Sequence, residues 1–596
     1  MERSERRAAL RWIGIAFGAM LLLFALDAHR LYDLHLGREA VPQNNYRQER
    51  DLLGLRGRIL DRNGRVLAES LPGRVVYIDR EDPKLESPGV DRGALPLDLA
   101  TLLGVPEERV RDAFFNAEGR RTTRICEVSD NATIQALIAR SSPSMKEGRI
   151  AGVNFAEQRS VRSHPNGARL AHLLGFINAE GVGVQGVEQR FDGELRGQDG
   201  HILTLVDARR RELRNRRIEE VDAVHGNDVV LTIDNNVQYI IETVLERALK
   251  TYQADTGTII VQDVRTGEIL GMATQPSFDP QDYGRMPQAQ WKNIAVARNY
   301  EPGSVMKAIT VAMGMQLGVI DENSTFDIGT SRVWFYAGRR LRDHAVGVLR
   351  PADILAKSSN IGTAMIGLRL AEPTPDYGME EYARLWYAFR AMGLGQKTGI
   401  EIPGEEAGIV PHYKGWSKLS PTRMTLGQGI AVTPVQLCNA FATIANGGVR
   451  MRPTILKEIR THEGELVRAN APEVLGRPLS PEVCAKVLGM LRGVTDRAKG
   501  GTGWRAALHS YTVAGKTGTG QIPGPHGYND RDYNATFVGV YPSTAPRLAI
   551  LVNLERPKGP RHAGGNVAAP IFAEIAEPIG HYLNIPADKP LEEPKP

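Results

Sequence analysis

Cysteine is almost missing from this chain, with three in 596 residues. Cys126, Cys438 and Cys484 stand far apart and form no CxxC or Cys/His cluster, so neither a zinc ligand set nor a disulfide framework can be read from them. No HExxH or other metal signature occurs, and neither metal-dependent hydrolysis nor a bound cofactor is expected. Aromatic residues are only 6% of the chain. They are wholly absent from its densest basic run, the six arginines between Arg209 and Arg217, which Glu212, Glu219 and Glu220 also dilute. Nucleic-acid binding wants aromatics interleaved with such a run. We read it as a solvated hairpin or helix face and expect no nucleic-acid partner. The net charge of +5 is small for this length, and no internal repeat is visible.

What the chain does have is size, ordinary composition and one uncharged N-terminal run. Its 596 residues call for several folded units at roughly 150 residues each. A composition of 42% hydrophobic and 24% charged residues excludes global disorder. From Trp12 to Leu26 no residue is charged, and Arg3, Arg6, Arg7 and Arg11 precede that run. It is 15 residues long, short of the roughly 20 that span a bilayer. Ala8–Leu10 and Ala28 extend it if Arg11 and Asp27 snorkel to the interfaces. A cleaved signal peptide is the alternative, but Leu26-Asp27-Ala28 is a poor cleavage site. The expectation is an uncleaved membrane anchor within residues 1–28, its arginine-rich end cytoplasmic and the remainder outside.

Residues 29–50 are polar and helix-compatible, a continuation from the membrane. Asn63-Gly64, between RILD and RVLA, signals a hairpin. Short strands, glycine turns and short helices then alternate to about residue 225. The texture changes at Asp228. VVLTID reads as a strand, Asp234 as the cap of a helix over NNVQYIIETVLERALKTYQ, and TGTIIVQDVRTGEILGMAT as two strands about a turn at Arg265-Thr266-Gly267. YTVAGKTG, ATFVGVYP and RLAILVNLE are three later strands, and AAPIFAEIAEPIGHYL is helical. The domain boundary falls near residue 227, with a disordered tail over 586–596.

Three short motifs occur in order: Ser304-Val305-Met306-Lys307, Ser358-Ser359-Asn360 and Lys516-Thr517-Gly518. S-x-x-K, S-x-N and K-T-G together form the signature of serine β-lactamases and penicillin-binding proteins. Ser304 follows the turn Tyr300-Glu301-Pro302-Gly303 and opens a helix over SVMKAITVAMGMQLGVI. Spacing i, i+3 places Lys307 on the serine's face, and the helix N-terminus favours developing negative charge. A serine hydroxyl needs a base, and the apolar surroundings of Lys307 can depress its pKa enough to make it one. Each motif has a decoy or a bland reading. Ser129-Asp130-Asn131 precedes the nucleophile and reads as a helix cap. Lys397-Thr398-Gly399 lies in a glycine-flanked loop, whereas Lys516 follows a strand along whose edge Gly518 leaves room for a peptide backbone. Ser358-Ser359-Asn360 interrupts an apolar helical stretch, which is costly unless its polar groups serve a site.

At this point the chain resembles the class B penicillin-binding proteins over nearly its whole length. RGRILDRNGRVLA and GVQGVEQRFDGELRGQDG are similar to the family's pedestal segments. LTIDNNVQ, GEILGMATQPSFDP, YEPGSVMK, SSNIG, MTLGQGIAVTPVQL, ANGG and VAGKTGTGQ resemble its transpeptidase domain, and FVGVYPSTAPRLAILVNLERPKG with VAAPIF resembles the septal, FtsI-type and sporulation-type branch. The resemblance implies an α+β multidomain protein: a transmembrane helix, a mixed β-rich pedestal (29–227) and a serine β-lactamase-like transpeptidase domain (228–585), an α/β sheet flanked by helices. It implies a D,D-transpeptidase in which Ser304 attacks a stem peptide, Lys307 is the base, and Ser358 relays protons. Asn360 and Lys516 complete the network, Thr517, Gly518 and Thr519 bind substrate, and the N–H groups of Ser304 and Thr519 form the oxyanion hole. Stem peptides, β-lactams, an FtsW-type glycosyltransferase and other division proteins are the implied partners. Against a β-lactamase stand the pedestal, the anchor and the lack of a deacylating glutamate. A penicillin sensor or a division scaffold are the readings from other classes.

Overall fold

The computed structural model describes residues 2–35, 47–116, 121–142, 149–155, 159–207, 211–374, 378–524, 527–559 and 562–589. The chain divides into two compact units, one of residues 1–54 with 198–224, the other of 55–197 with 225–596.

In the first unit, Glu2–His35 is one continuous helix. Its Arg6–Tyr32 stretch is long and apolar enough to cross a membrane, and its side chains are exposed as an anchor's would be. The helix thus runs past residue 28, but the helix-compatible reading of 29–50 fails at its end. Arg47–Leu52 is a strand, antiparallel to Gly200–Val206, which pairs in turn with Glu212–Val221. The described part of the basic run lies in that hairpin. Arg211 pairs with Asp207, and Arg217 with Glu212 and Glu220. Arg209 and Arg210 lie outside the described residues.

In the second unit, Ile59–Leu60 and Val66–Asp79 pair antiparallel about Asn63-Gly64, with Gly64 at φ 82°. Ile59–Leu60 also pairs in parallel with Asp228–Leu231, which continues into Leu456–Arg460. Strands from both sides of residue 227 therefore share a sheet. A buried ion cluster joins the two pedestal segments recognised in the sequence. Glu188 accepts from Arg56 Nε and Arg162 Nε, both at 2.6 Å, and Arg56 also reaches Asp192 at 2.7 Å. Glu188 has no exposure, so its cost of desolvation is met only because both oxygens are paired.

The larger core is built on a five-stranded antiparallel sheet. Its order is Ile269–Gln275, Thr256–Asp263, Leu548–Glu555, Gly527–Tyr541, Ala514–Gly524. Side chains alternate across it. Ile259, Val261, Ile550 and Val552 join one apolar cluster with helices Asn235–Tyr252 and Ala568–Tyr582. Ile260, Ala549 and Leu551 join the other, with helices Met306–Gln316, Pro434–Ala445 and Pro481–Thr495. The first of these helices starts where expected: Asp234 accepts from Asn236 N and Val237 N at 2.9 and 3.2 Å. The last three expected strands are present, but the first begins at Ala514, not Tyr511. The reading of a disordered tail over 586–596 fails at its start. Asp588 accepts from Thr512 N and Thr544 Oγ1, both at 2.6 Å, and Lys589 donates to the Leu508 carbonyl at 2.7 Å. Residues 590–596 lie outside the described residues.

Candidate active site

Tyr300 exchanges two backbone hydrogen bonds with Val432, at 3.0 and 2.9 Å, which fixes where the turn after it begins. Gly303 has φ 55°, a left-handed conformation that glycine adopts without penalty, and its N–H donates to the Gly427 carbonyl at 3.2 Å. A Cβ on Gly427 would stand 2.2 Å from the Gly303 oxygen, and one on Gly520 2.4 Å from the Glu301 oxygen. Glycine there lets three backbone segments close together around Ser304. The serine lies in the short 3-10 turn Gly303–Val305, and the α-helix proper is Met306–Gln316. The helix is therefore shorter at both ends than expected, though Ser304 still sits at its positive pole.

Ser304 is half-buried, while Lys307, one turn on, has no exposure. Lys307 Nζ donates to the Ser358 carbonyl at 2.6 Å, to Ser358 Oγ at 3.2 Å and to Asn360 Oδ1 at 2.7 Å. Burial pushes the Lys307 amine down to about 7, and the negative charge of Asp343 opposes that push. Lys516 Nζ donates to the same Ser358 Oγ at 3.0 Å and to the Thr517 carbonyl at 3.1 Å. Its burial, followed by the nearby Lys307 charge, holds its pKa well below a lysine's usual value. One hydroxyl thus accepts from two buried amines carried by different elements.

Ser358-Ser359-Asn360 does not interrupt a helix, as the sequence implied. It is the junction between Pro351–Ala356 and Asn360–Ala371, with Ser358 at φ 56°. A serine in that left-handed region is strained, and its neighbours hold it there. Ser359 caps the second helix by accepting from Gly362 N at 3.1 Å. Asp343 Oδ2 accepts from Ser359 Oγ at 2.6 Å and from Ile361 N at 2.7 Å. Asn360 Nδ2 donates to the Arg342 carbonyl at 2.9 Å, which turns its Oδ1 toward Lys307.

Lys516 and Gly518 share one face of the edge strand, Thr517 and Thr519 the other. The reason for Gly518 differs from the one read in the sequence. A Cβ there would stand 2.6 Å from Val305 Cγ2 and 2.9 Å from the Pro302 carbonyl, so glycine admits the serine turn itself. Thr517 Oγ1 lies 2.9 Å from Thr502 Oγ1, and Thr519 Oγ1 accepts from Gly564 N at 3.2 Å. The decoys stay apart from this cluster. Asp130 caps Asn131–Arg140, and Thr398 and Gly399 donate to Glu405. Sequence reasoning missed Asp343, Thr502 and Gly564, and no local spacing marks them.

A buried amine beside a serine at a helix start, next to an open strand edge, suits acyl transfer: nucleophile, base and peptide cradle in one place. The comparisons agree with that arrangement. Residues 257–577 match the family model described as penicillin binding protein transpeptidase domain, and 52–231 match that of the penicillin-binding protein dimerisation domain. The peptidoglycan D,D-transpeptidase FtsI of Escherichia coli is 31% identical, covering 89% of this chain and 84% of its own. The penicillin-binding protein PbpB of Mycolicibacterium smegmatis is 30% identical over 98% and 93%. A crystal structure of penicillin binding protein 3 from Mycobacterium tuberculosis with aztreonam superposes with a TM-score of 0.67, at 27% identity over 92% of this chain and 100% of the other. The chain belongs to the class B penicillin-binding proteins, a dimerisation domain followed by a transpeptidase domain. It is a serine-type peptidoglycan transpeptidase, and its apolar N-terminal helix fits a membrane anchor.

Proposed function

We propose that the chain is a D,D-transpeptidase of septal wall synthesis, with Ser304 as its nucleophile. Ser304 Oγ attacks the carbonyl of the penultimate D-Ala of a stem peptide as Lys307, neutral at the start, takes its proton. The new C–O bond forms an acyl-enzyme, the C–N bond to the terminal D-Ala breaks, and Ser358 relays the proton to that leaving amine. Backbone N–H groups of Ser304 and Thr519 stabilise the oxyanion. Asn360 orients the donor peptide and Lys307, Lys516 holds Ser358, and Thr517 and Thr519 bind the terminal carboxylate beside Gly518. An amine from a second stem peptide then displaces Ser304 and completes the cross-link. β-Lactams acylate the same serine and leave slowly. The observation that carries this reading is the convergence of Lys307 and Lys516 on Ser358 Oγ, at 3.2 and 3.0 Å.

In this reading residues 1–28 hold the single membrane span in the inner membrane, 29–227 form the pedestal, and 228–585 lie outside the cytoplasm as the catalytic domain. An FtsW-type glycosyltransferase supplies the strands that this enzyme cross-links alongside other division proteins. Depletion in the source bacterium tests the septal assignment. Filamentous cells support it, whereas rounded cells assign the enzyme to elongation and a defect confined to spore formation assigns it to sporulation.

A further inference from the structure

Between the serine helix and the Ser358 junction the chain makes a small hairpin, Val333–Tyr336 with Arg339–Arg342. Its register pairs Val333 with Arg342, Trp334 with Leu341, Phe335 with Arg340, and Tyr336 with Arg339. Successive side chains alternate across a strand. Trp334 and Leu341 therefore share one face, and Phe335, Arg340 and Arg342 share the other. The first face is inward: Leu341 is buried, Trp334 packs on the main core, and Tyr336 stacks on Trp334 with centroids 5.1 Å apart. Ala337 and Gly338 have φ 45° and 73°, as a tight two-residue hairpin turn requires.

The outward face is left uncovered and uncompensated. Arg332–Arg342, RVWFYAGRRLR, holds four arginines and no acidic residue. Phe335 is 73% exposed. Among the described residues none of these four arginines forms an ion pair. The hairpin is also tied to the catalytic cluster, since the Arg342 carbonyl holds Asn360 and Asp343 holds Ser359 and Ile361. Guanidinium groups fork onto carboxylates, and an exposed ring between them offers apolar area at little entropic cost. A chain bearing carboxylates between short apolar side chains complements this face in both charge and shape. The stem peptide that must thread toward Ser304 has that chemistry.

We propose that Phe335, Arg340 and Arg342 form a docking surface for the carboxylate-bearing stem peptide of the incoming peptidoglycan strand. This rests on the transpeptidase reading above. The test uses the full-length protein in detergent with two probes, a soluble disaccharide-pentapeptide muropeptide and the same molecule with its internal carboxylates amidated. Arg340→Glu, and separately Phe335→Ala with Arg340→Ala, should weaken binding of the first probe about tenfold or more, the loss of one charge-assisted contact. Amidation should weaken binding to the unaltered protein by a similar factor. Fluorescent penicillin should label both variants within about twofold of the unaltered rate, because exposed substitutions leave the fold intact. Unchanged muropeptide affinity in a variant that labels normally overturns the proposal. So does a variant that loses a protein partner while keeping its muropeptide affinity. If the double variant fails to label, Arg340→Glu alone decides. A wild-type protein that never labels instead refutes the transpeptidase reading.

Discussion

Titrating the acylation rate, with and without Asp343→Asn, tests the assignment of Lys307 as base. The base must be neutral to accept the Ser304 proton, and burial brings Lys307 to about 7. Relative to an ordinary lysine near 10.4, that is a penalty on the charged form of roughly 5 kcal/mol. At pH 8 about nine-tenths of Lys307 is then neutral, and at pH 6 about one-tenth, so the rate should fall roughly tenfold between them. An unshifted lysine would be neutral in only about one molecule in 300 at pH 8. Asp343 raises the Lys307 pKa by its charge. Asparagine keeps an oxygen for Ser359 Oγ and Ile361 N but removes that charge, so the midpoint should move to lower pH. The assay is the second-order rate constant for fluorescent-penicillin acylation from pH 5.5 to 9. A flat profile, or a midpoint that moves upward in Asp343→Asn, would refute the reasoning.

Glu188→Gln leaves Arg162 buried without a counter-charge and Arg56 with Asp192 alone, and should cost about 3–5 kcal/mol in chemical denaturation; a loss below about 1 kcal/mol would mean that the cluster is open to water. Gly564→Ala puts a Cβ 2.3 Å from both the Gly518 and Thr536 carbonyl oxygens. It should displace the edge strand and slow acylation by about tenfold or more, and a normal rate would show that the strand yields freely. Asp588→Ala removes the acceptor for Thr512 N and Thr544 Oγ1 and should lower stability by about 1–2 kcal/mol. Burial opposes ionisation of Asp588, yet those hydrogen bonds hold its pKa below the usual carboxylate value. Its contribution is therefore full above the unfolded carboxylate's pKa and is lost as pH falls through the lower folded value. Thermal melts of both proteins at neutral and acid pH check this: the difference between them should shrink in acid.

Features set by near neighbours were legible in the sequence. The hairpin at Asn63-Gly64, the cap at Asp234 and the i, i+3 placement of Lys307 all depend on residues a few positions apart. Motif order and strand context also separated Lys516 from Lys397 and Ser358 from Ser129. Long-range causes were not legible. Asp343 serves Ser359 from 16 positions away, and Thr502 meets Thr517 from 15, so neither leaves a local pattern. Gly518 was recognised but its cause was misread, because the turn that crowds it comes from Pro302–Val305. The composition of 586–589 reads as tail, yet Asp588 and Lys589 are held by partners more than 40 residues earlier. Residues 47–50 looked helix-compatible for a similar reason: they become part of the strand Arg47–Leu52 by pairing with Gly200–Val206.

Peptide mass spectrometry after brief exposure to benzylpenicillin tests the central claim most directly. The account predicts one penicilloyl adduct per chain, on the peptide that contains Ser304, persisting over the time of the digest and absent from Ser304→Ala. An adduct on another residue, or one hydrolysed as fast as it forms, would contradict it.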